Sequence, residues 1–297
     1  MDQRVRVGVG RGKGVELNYQ IYGNGPNKVL FVMGLGCPLG NWKMQIDAFR
    51  VSPDGPINER FQLCAFDNRG TGRSTVRLGR YTTDMMARDA LDLLSSHKIH
   101  PDAPSGGMIS QKMTLMTMES KDLPRIESLT LASTHYGGPY SSIPKEGRQL
   151  SRKKIFAFTK KRKTDLSLRG LMSKSYLSDP AKYESAAKFL METGSSSPHY
   201  RGLLSQLHAI NGHSLSDVEL KKMSEMGVPI GIICGSEDVL VDTRNSDALN
   251  DILHPSQYVI IRADEVGVGH ANHLERPEEF NRAMIRNILR AGERSSL

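Results

Sequence analysis

A chain of 297 residues, 38% of them hydrophobic, is long and apolar enough to bury a sizeable core, which excludes a disordered chain. Its 40 Lys and Arg against 32 Asp and Glu leave a net charge of +8, yet no uninterrupted apolar run approaches the ~20 residues of a membrane helix. Cys37, Cys64 and Cys234 lie far apart without metal-ligand spacing, and no apolar h-region follows Met1. Reduced thiols and a cytoplasmic setting are therefore expected.

In chain order, the start alternates like a strand, and Gly8 to Gly14 has the wrong spacing for a phosphate loop or a dinucleotide fingerprint, so it reads as a strand turn. Val15, Leu17, Tyr19 and Ile21 alternate with polar residues as in a half-buried strand. Lys28 to Met33 is a short apolar run ending at Gly34-Leu35-Gly36, which suits a buried parallel strand, and a helix is expected around Trp42 to Phe49. Phe61 to Phe66 is another buried strand, followed by Asp67-Asn68-Arg69-Gly70-Thr71-Gly72-Arg73-Ser74. Thr82 or Thr83 caps a helix through Met86, Ala90, Leu91 and Leu94.

Further on, Ile126 to Ala132, Val228 to Cys234 and Tyr258 to Ile261 read as strands, and Pro277 opens a closing helix through Phe280, Met284 and Leu289. Strands alternating with helices imply a mostly parallel sheet covered on both faces. The polar, basic stretch 141–226 lacks a strand pattern and reads as a helical cap insertion, with 1–140 and 227–297 forming the core. Between Lys145 and Lys174 the basic residues outnumber Glu146 and Asp165 several times over. Such a run is an exposed helical face with weak attraction for an anionic membrane. It lacks the aromatic interleaving of a nucleic-acid module.

Two side chains stand where chemistry gathers in a parallel sheet. Asp238 lies just past one expected strand, in Cys234-Gly235-Ser236-Glu237-Asp238, and His270 lies past the next, in Gly267-Val268-Gly269-His270. An acid and then a His, each at a strand end, suit a general base with an orienting carboxylate.

Together with Met33-Gly34-Leu35-Gly36, Trp42, the Asp67 to Ser74 stretch and Leu274-Glu275-Arg276-Pro277-Glu278-Glu279-Phe280, these residues resemble the α/β-hydrolase family, the esterase and lipase-like fungal and plant members above all. The resemblance runs from about Val15 to Leu289. It implies a Ser-His-Asp serine hydrolase of carboxylic ester-like small molecules, with Asp238 as triad acid, His270 as base and the Leu35 amide in the oxyanion hole. It implies no metal or organic cofactor, and Asp67, Arg69 and Arg73 as braces of the turns.

The nucleophile departs from the family pattern of strand, G-x-S-x-G and helix. Ala103-Pro104-Ser105-Gly106-Gly107 is an A-x-S-x-G variant that makes Ser105 the candidate nucleophile and Gly106 the second oxyanion amide, although counting back from the paired glycines puts the nucleophile slot on Pro104. His100 to Pro104 holds Pro101 and Pro104, so a loop is expected where a central strand belongs. Losing that strand would cost roughly 10 kcal/mol, against a whole-domain stability of ~5–15. The second reading is therefore a non-catalytic or impaired relative, a ligand-binding protein or a splice or gene-model variant.

Overall fold

The computed structural model describes residues 3–10, 14–50, 57–97, 103–123, 125–194, 199–262 and 267–294. The elements in chain order are β1 (Gln3–Val7), β2 (Val15–Tyr22), β3 (Asn27–Val32), α1 (Lys43–Arg50), α2 (Ile57–Arg60), β4 (Phe61–Phe66), α3 (Thr83–Ser96), β5 (Ala103–Gly106), α4 (Met108–Glu119) and β6 (Leu129–Ala132). Six helices follow: α5 (Lys145–Ile155), α6 (Lys160–Leu171), α7 (Lys174–Ser178), α8 (Pro180–Glu192), α9 (Tyr200–Asn211) and α10 (Asp217–Ser224). The chain closes with β7 (Ile230–Gly235), α11 (Arg244–Leu253), β8 (Gln257–Ile261), α12 (Asn272–Glu275) and α13 (Pro277–Arg294).

The strands form one eight-stranded sheet in the order β1-β2-β4-β3-β5-β6-β7-β8. β1 pairs antiparallel with β2, and β2 with β4, while every later pairing is parallel. Side chains of β3 divide by strand alternation. Leu30 and Val32 join the cluster beneath α3 and α4, whereas Val29 and Phe31 join Trp42, Phe49 and Phe280 on the opposite face. Both faces of the sheet are thus covered, and the strands read as continuous apolar runs for that reason. Thr82 caps α3, its hydroxyl accepting from the Met85 amide.

The centre of the sheet corrects one expectation. Ala103 and Pro104 are not loop: they open β5, which is paired on one side with β3 through Val29↔Ala103, Leu30↔Pro104 and Phe31↔Ser105, and on the other with β6 through Ser105↔Thr130 and Gly106↔Leu131. His100, Pro101 and Asp102 lie outside the described residues. Proline removes one N–H from the ladder, a loss of about 1 kcal/mol, not of the whole strand. Small, fully buried residues then let β5 fit between its neighbours; a Cβ on Gly106 would stand 2.7 Å from the Val32 carbonyl oxygen. Pairing on both sides overrides local propensity here.

Candidate active site

The carboxyl ends of the parallel strands bring together the loops after β3, β5, β6, β7 and β8. Just past β7, the Asp238 carboxylate is fixed by its own turn, Oδ1 accepting from the amides of Leu240 at 2.8 Å and Val241 at 2.9 Å. Its Oδ2 lies 2.7 Å from His270 Nδ1. The carboxylate is 1% exposed and the imidazole 27% exposed, so the acid is sealed while the ring remains reachable. Burial disfavours the imidazolium, but the charge of Asp238 and its hydrogen bond outweigh burial and raise the His270 pKa above its ordinary value. With Nδ1–H donated to Asp238, the neutral ring carries its lone pair on Nε2, the arrangement of a general base.

The His270 loop is held from three sides. The Glu275 carboxylate, buried in α12, accepts from the Gly269 amide at 3.0 Å and from both the amide and the hydroxyl of Ser173, which caps α7. The Ala271 amide donates to the Leu171 carbonyl at the end of α6, at 2.7 Å. Ser133, with a left-handed φ of 42°, donates to the His270 carbonyl at 3.1 Å and accepts from Asn272 Nδ2 at 2.9 Å. It is the backbone of His270, not the ring, that this serine touches.

Ser105 is placed differently. It sits inside β5, 1% exposed, and its hydroxyl has no hydrogen-bond partner among the described residues, His270 included. Gly106 is the last residue of that strand, and Gly107 occupies the strand-to-helix turn before Met108. The hydroxyl thus lies two residues before the position where a sharp turn presents a nucleophile. A Cβ at Gly107 would stand 2.9 Å from Thr134 Oγ1.

Leu35 lies in the turn after β3, closed by the Cys37 amide donating to the Gly34 carbonyl, with Gly36 at φ 65° supplying the left-handed position. Gln206 of α9 holds this turn. Its Oε1 accepts from the Gly36 amide at 2.8 Å, and its Nε2 donates to the Arg69 carbonyl at 2.8 Å and to Thr71 Oγ1 at 2.6 Å. Nothing in the sequence marks Gln206, because its partners are more than a hundred residues away. Gln206→Ala leaves two buried groups and one half-buried carbonyl unpaired, and a loss of about 2–4 kcal/mol in urea unfolding is expected; an unchanged midpoint would show that water replaces the amide.

Asp67 acts as a brace: Oδ1 accepts from the Leu39 amide at 2.7 Å, and Oδ2 from Asn18 Nδ2 at 2.8 Å and the Arg73 amide at 2.9 Å. Gly72, at φ 54°, leaves room for it, since a Cβ there would fall 2.3 Å from Asp67 Oδ2. Arg69 forks onto the Asp89 carboxylate of α3. No group of acidic, His or Cys side chains able to hold a metal occurs among the described residues. None of the described helices is long and apolar enough to cross a membrane.

An NMR titration checks the electrostatics of the pair. His270 should titrate above 6.5. In Asp238→Asn the charge is gone and burial remains, so the value should fall below 6.5. A His270 pKa unmoved by the substitution would mean that Asp238 does not set it.

No protein-family model matches the chain. It is 23% identical, over 93% of its length and 67% of the other's, to the dihydrolipoyllysine-residue acetyltransferase component of the acetoin cleaving system of Cupriavidus necator. Among solved structures it resembles a thermophilic esterase from Thermogutta terrifontis at a TM-score of 0.73 and 20% identity, covering 97% of this chain and 98% of that one. It also resembles the enol-lactonase of Burkholderia xenovorans at a TM-score of 0.72 and 20% identity, covering 97% and 100%. With this sheet order and these likenesses, the chain has the α/β-hydrolase fold.

Proposed function

We propose that the chain carries a hydrolytic site for an ester-like bond in a small molecule, built on the Asp238–His270 pair, with residues 141–226 as its cap. The observation that carries this reading is the 2.7 Å contact between a sealed carboxylate and a reachable imidazole. The esterase and the enol-lactonase of the same fold, both by name enzymes of carboxylic ester-type bonds, favour that substrate class.

In this reading Ser105 Oγ attacks the substrate carbonyl as its proton passes to His270 Nε2, and Asp238 stabilises the imidazolium. The amides of Leu35 and Gly106 receive the negative charge of the tetrahedral intermediate, and the same imidazolium returns the proton to the leaving alcohol. Water then repeats the sequence and frees the acid. The buried, unpartnered Ser105 hydroxyl must first come out of the β5 register, which favours the second reading of an impaired hydrolase with its acid and base intact.

Release of p-nitrophenol from a short-chain ester by the purified chain tests the proposal. A slow rate that falls at least ~100-fold in His270→Ala supports the base. A rate equal to buffer in the intact, folded chain supports the impaired form, and a rate unaffected by His270→Ala overturns both.

A further inference from the structure

The inserted helices carry a surface feature that the hydrolytic site does not use. α5 ends at Ile155 and α6 begins at Lys160, and between them the chain turns over Phe156, Ala157 and Phe158. Ala157 is buried and its amide donates to the Lys154 carbonyl, while Thr159 caps α6 by accepting from the Arg162 amide. The turn is therefore built, and it holds its apolar side chains outward: Ile155 is 72% exposed, Phe156 73% and Phe158 96%. A single exposed apolar residue needs no explanation, but three within four positions form a patch.

Cations surround that patch. Arg152, Lys153, Lys160 and Lys161 are exposed, and none of them has an acidic partner among the described residues. Arg162 and Arg169, by contrast, are spent on Asp165. Apolar tips flanked by unpaired cations match a bilayer interface, where rings enter the acyl boundary and cations meet anionic headgroups. A second copy of the chain fits less well: three side chains offer at most ~500 Å², short of the ~800 Å² per partner of a stable interface, and the cations would face each other.

We propose that the Ile155–Phe158 turn and its flanking lysines and arginines form a docking surface for an anionic lipid bilayer. From Lys160, α6 runs 12 residues, about 18 Å, to Leu171, whose carbonyl holds the His270 loop through the Ala271 amide. Docking at the turn places that loop one helix length from the lipid, so the surface also suits delivery of a lipophilic substrate. The docking claim itself is independent of the hydrolytic reading.

Flotation of the full chain with vesicles tests it. Vesicles of phosphatidylcholine with 30 mol% phosphatidylserine (~30%, an anionic leaflet) should carry the protein at low salt, and pure phosphatidylcholine vesicles should carry at least ~10-fold less. Raising the salt to several times physiological ionic strength should release it. Phe156→Ser with Phe158→Ser should weaken partition by ~10-fold or more with an unchanged Tm, since both rings are already in water. Lys160→Gln with Lys161→Gln should weaken it by ~25-fold, at about fivefold for each charge removed. Absence of partition, or partition indifferent to the two Phe substitutions, would overturn the proposal. So would vesicle-free dimers lost in the Phe variant, or a gel shift of transfer RNA lost in it without any vesicle binding.

Discussion

Exposed to a fluorophosphonate, the purified chain is expected to label at least ~100-fold more slowly than an esterase with a seated serine, although Asp238 and His270 are in contact. Rapid labelling requires a hydroxyl on the imidazole, and a displacement of ~1 Å costs about a hundredfold in rate. Here Ser105 Oγ lies inside β5, 1% exposed and without a hydrogen-bond partner among the described residues, and glycine stands at the strand-to-helix turn. The segment below offers little to correct this: Ala103 and Pro104 pair with β3, and Pro104 gives no amide to the ladder. Fast labelling abolished by Ser105→Ala would establish Ser105 as a working nucleophile. Fast labelling that survives Ser105→Ala would move the chemistry to another serine, and mass spectrometry of the labelled peptide would name it.

Acid should destabilise the chain before most of its carboxylates are titrated. His213 is 4% exposed and held by Thr83 Oγ1 at 3.0 Å on Nδ1 and Gln111 Oε1 at 3.1 Å on Nε2. His135, 5% exposed, packs against it with ring centroids 5.9 Å apart. Burial pushes the His213 pKa down to about 3, helped by His135 and Lys112, and pushes His135 down to about 4. Both are neutral in the folded chain, while the unfolded chain takes up protons near pH 6.5. The unfolded state thus binds more protons between about pH 4 and 6.5, and stability falls as pH falls through that window. At pH 4.5 each His removes about 2–3 kcal/mol, on the order of 5 together, a large part of the ~5–15 of a typical domain. His270, with its raised pKa, works the other way and offsets little of this. Burial also pushes His273 down to about 3, so urea midpoints at pH 7 and pH 4.5 measure three histidines, and His213→Gln should flatten the slope by about a third. A profile flat from pH 7 to 5 would mean that water reaches all three rings.

Much of the fold was legible in the residues. Val15 to Ile21, Lys28 to Val32 and Phe61 to Phe66 carry the period or the apolar run of strands, and Thr82 and Pro277 mark helix starts. These signals are local: strand alternation, capping and ring geometry act within a few residues. The positions of Asp238 and His270 were legible for a related reason. Each follows a strand in a parallel sheet, whose carboxyl ends converge whatever the connections between them.

Other features existed only once the chain was packed. The two-sided pairing of Ala103 and Pro104 depends on β3 and β6, which override a proline's local preference. The grip of Gln206 on the Gly36 turn, and of Glu275 on Ser173 and Gly269, joins helices to loops that no spacing connects. The outward Phe158 was hidden for the same reason: a periodic pattern says that a residue is apolar, and only the neighbours that fail to cover it say that it is exposed. The strands, the helix caps and the placement of Asp238 and His270 after successive strands are written in short-range chemistry, so they could be read from the residues alone. That the Ser105 hydroxyl is buried and, among the described residues, makes no hydrogen bond emerges only on packing, because burial and hydrogen-bond partners are properties of distant segments brought together.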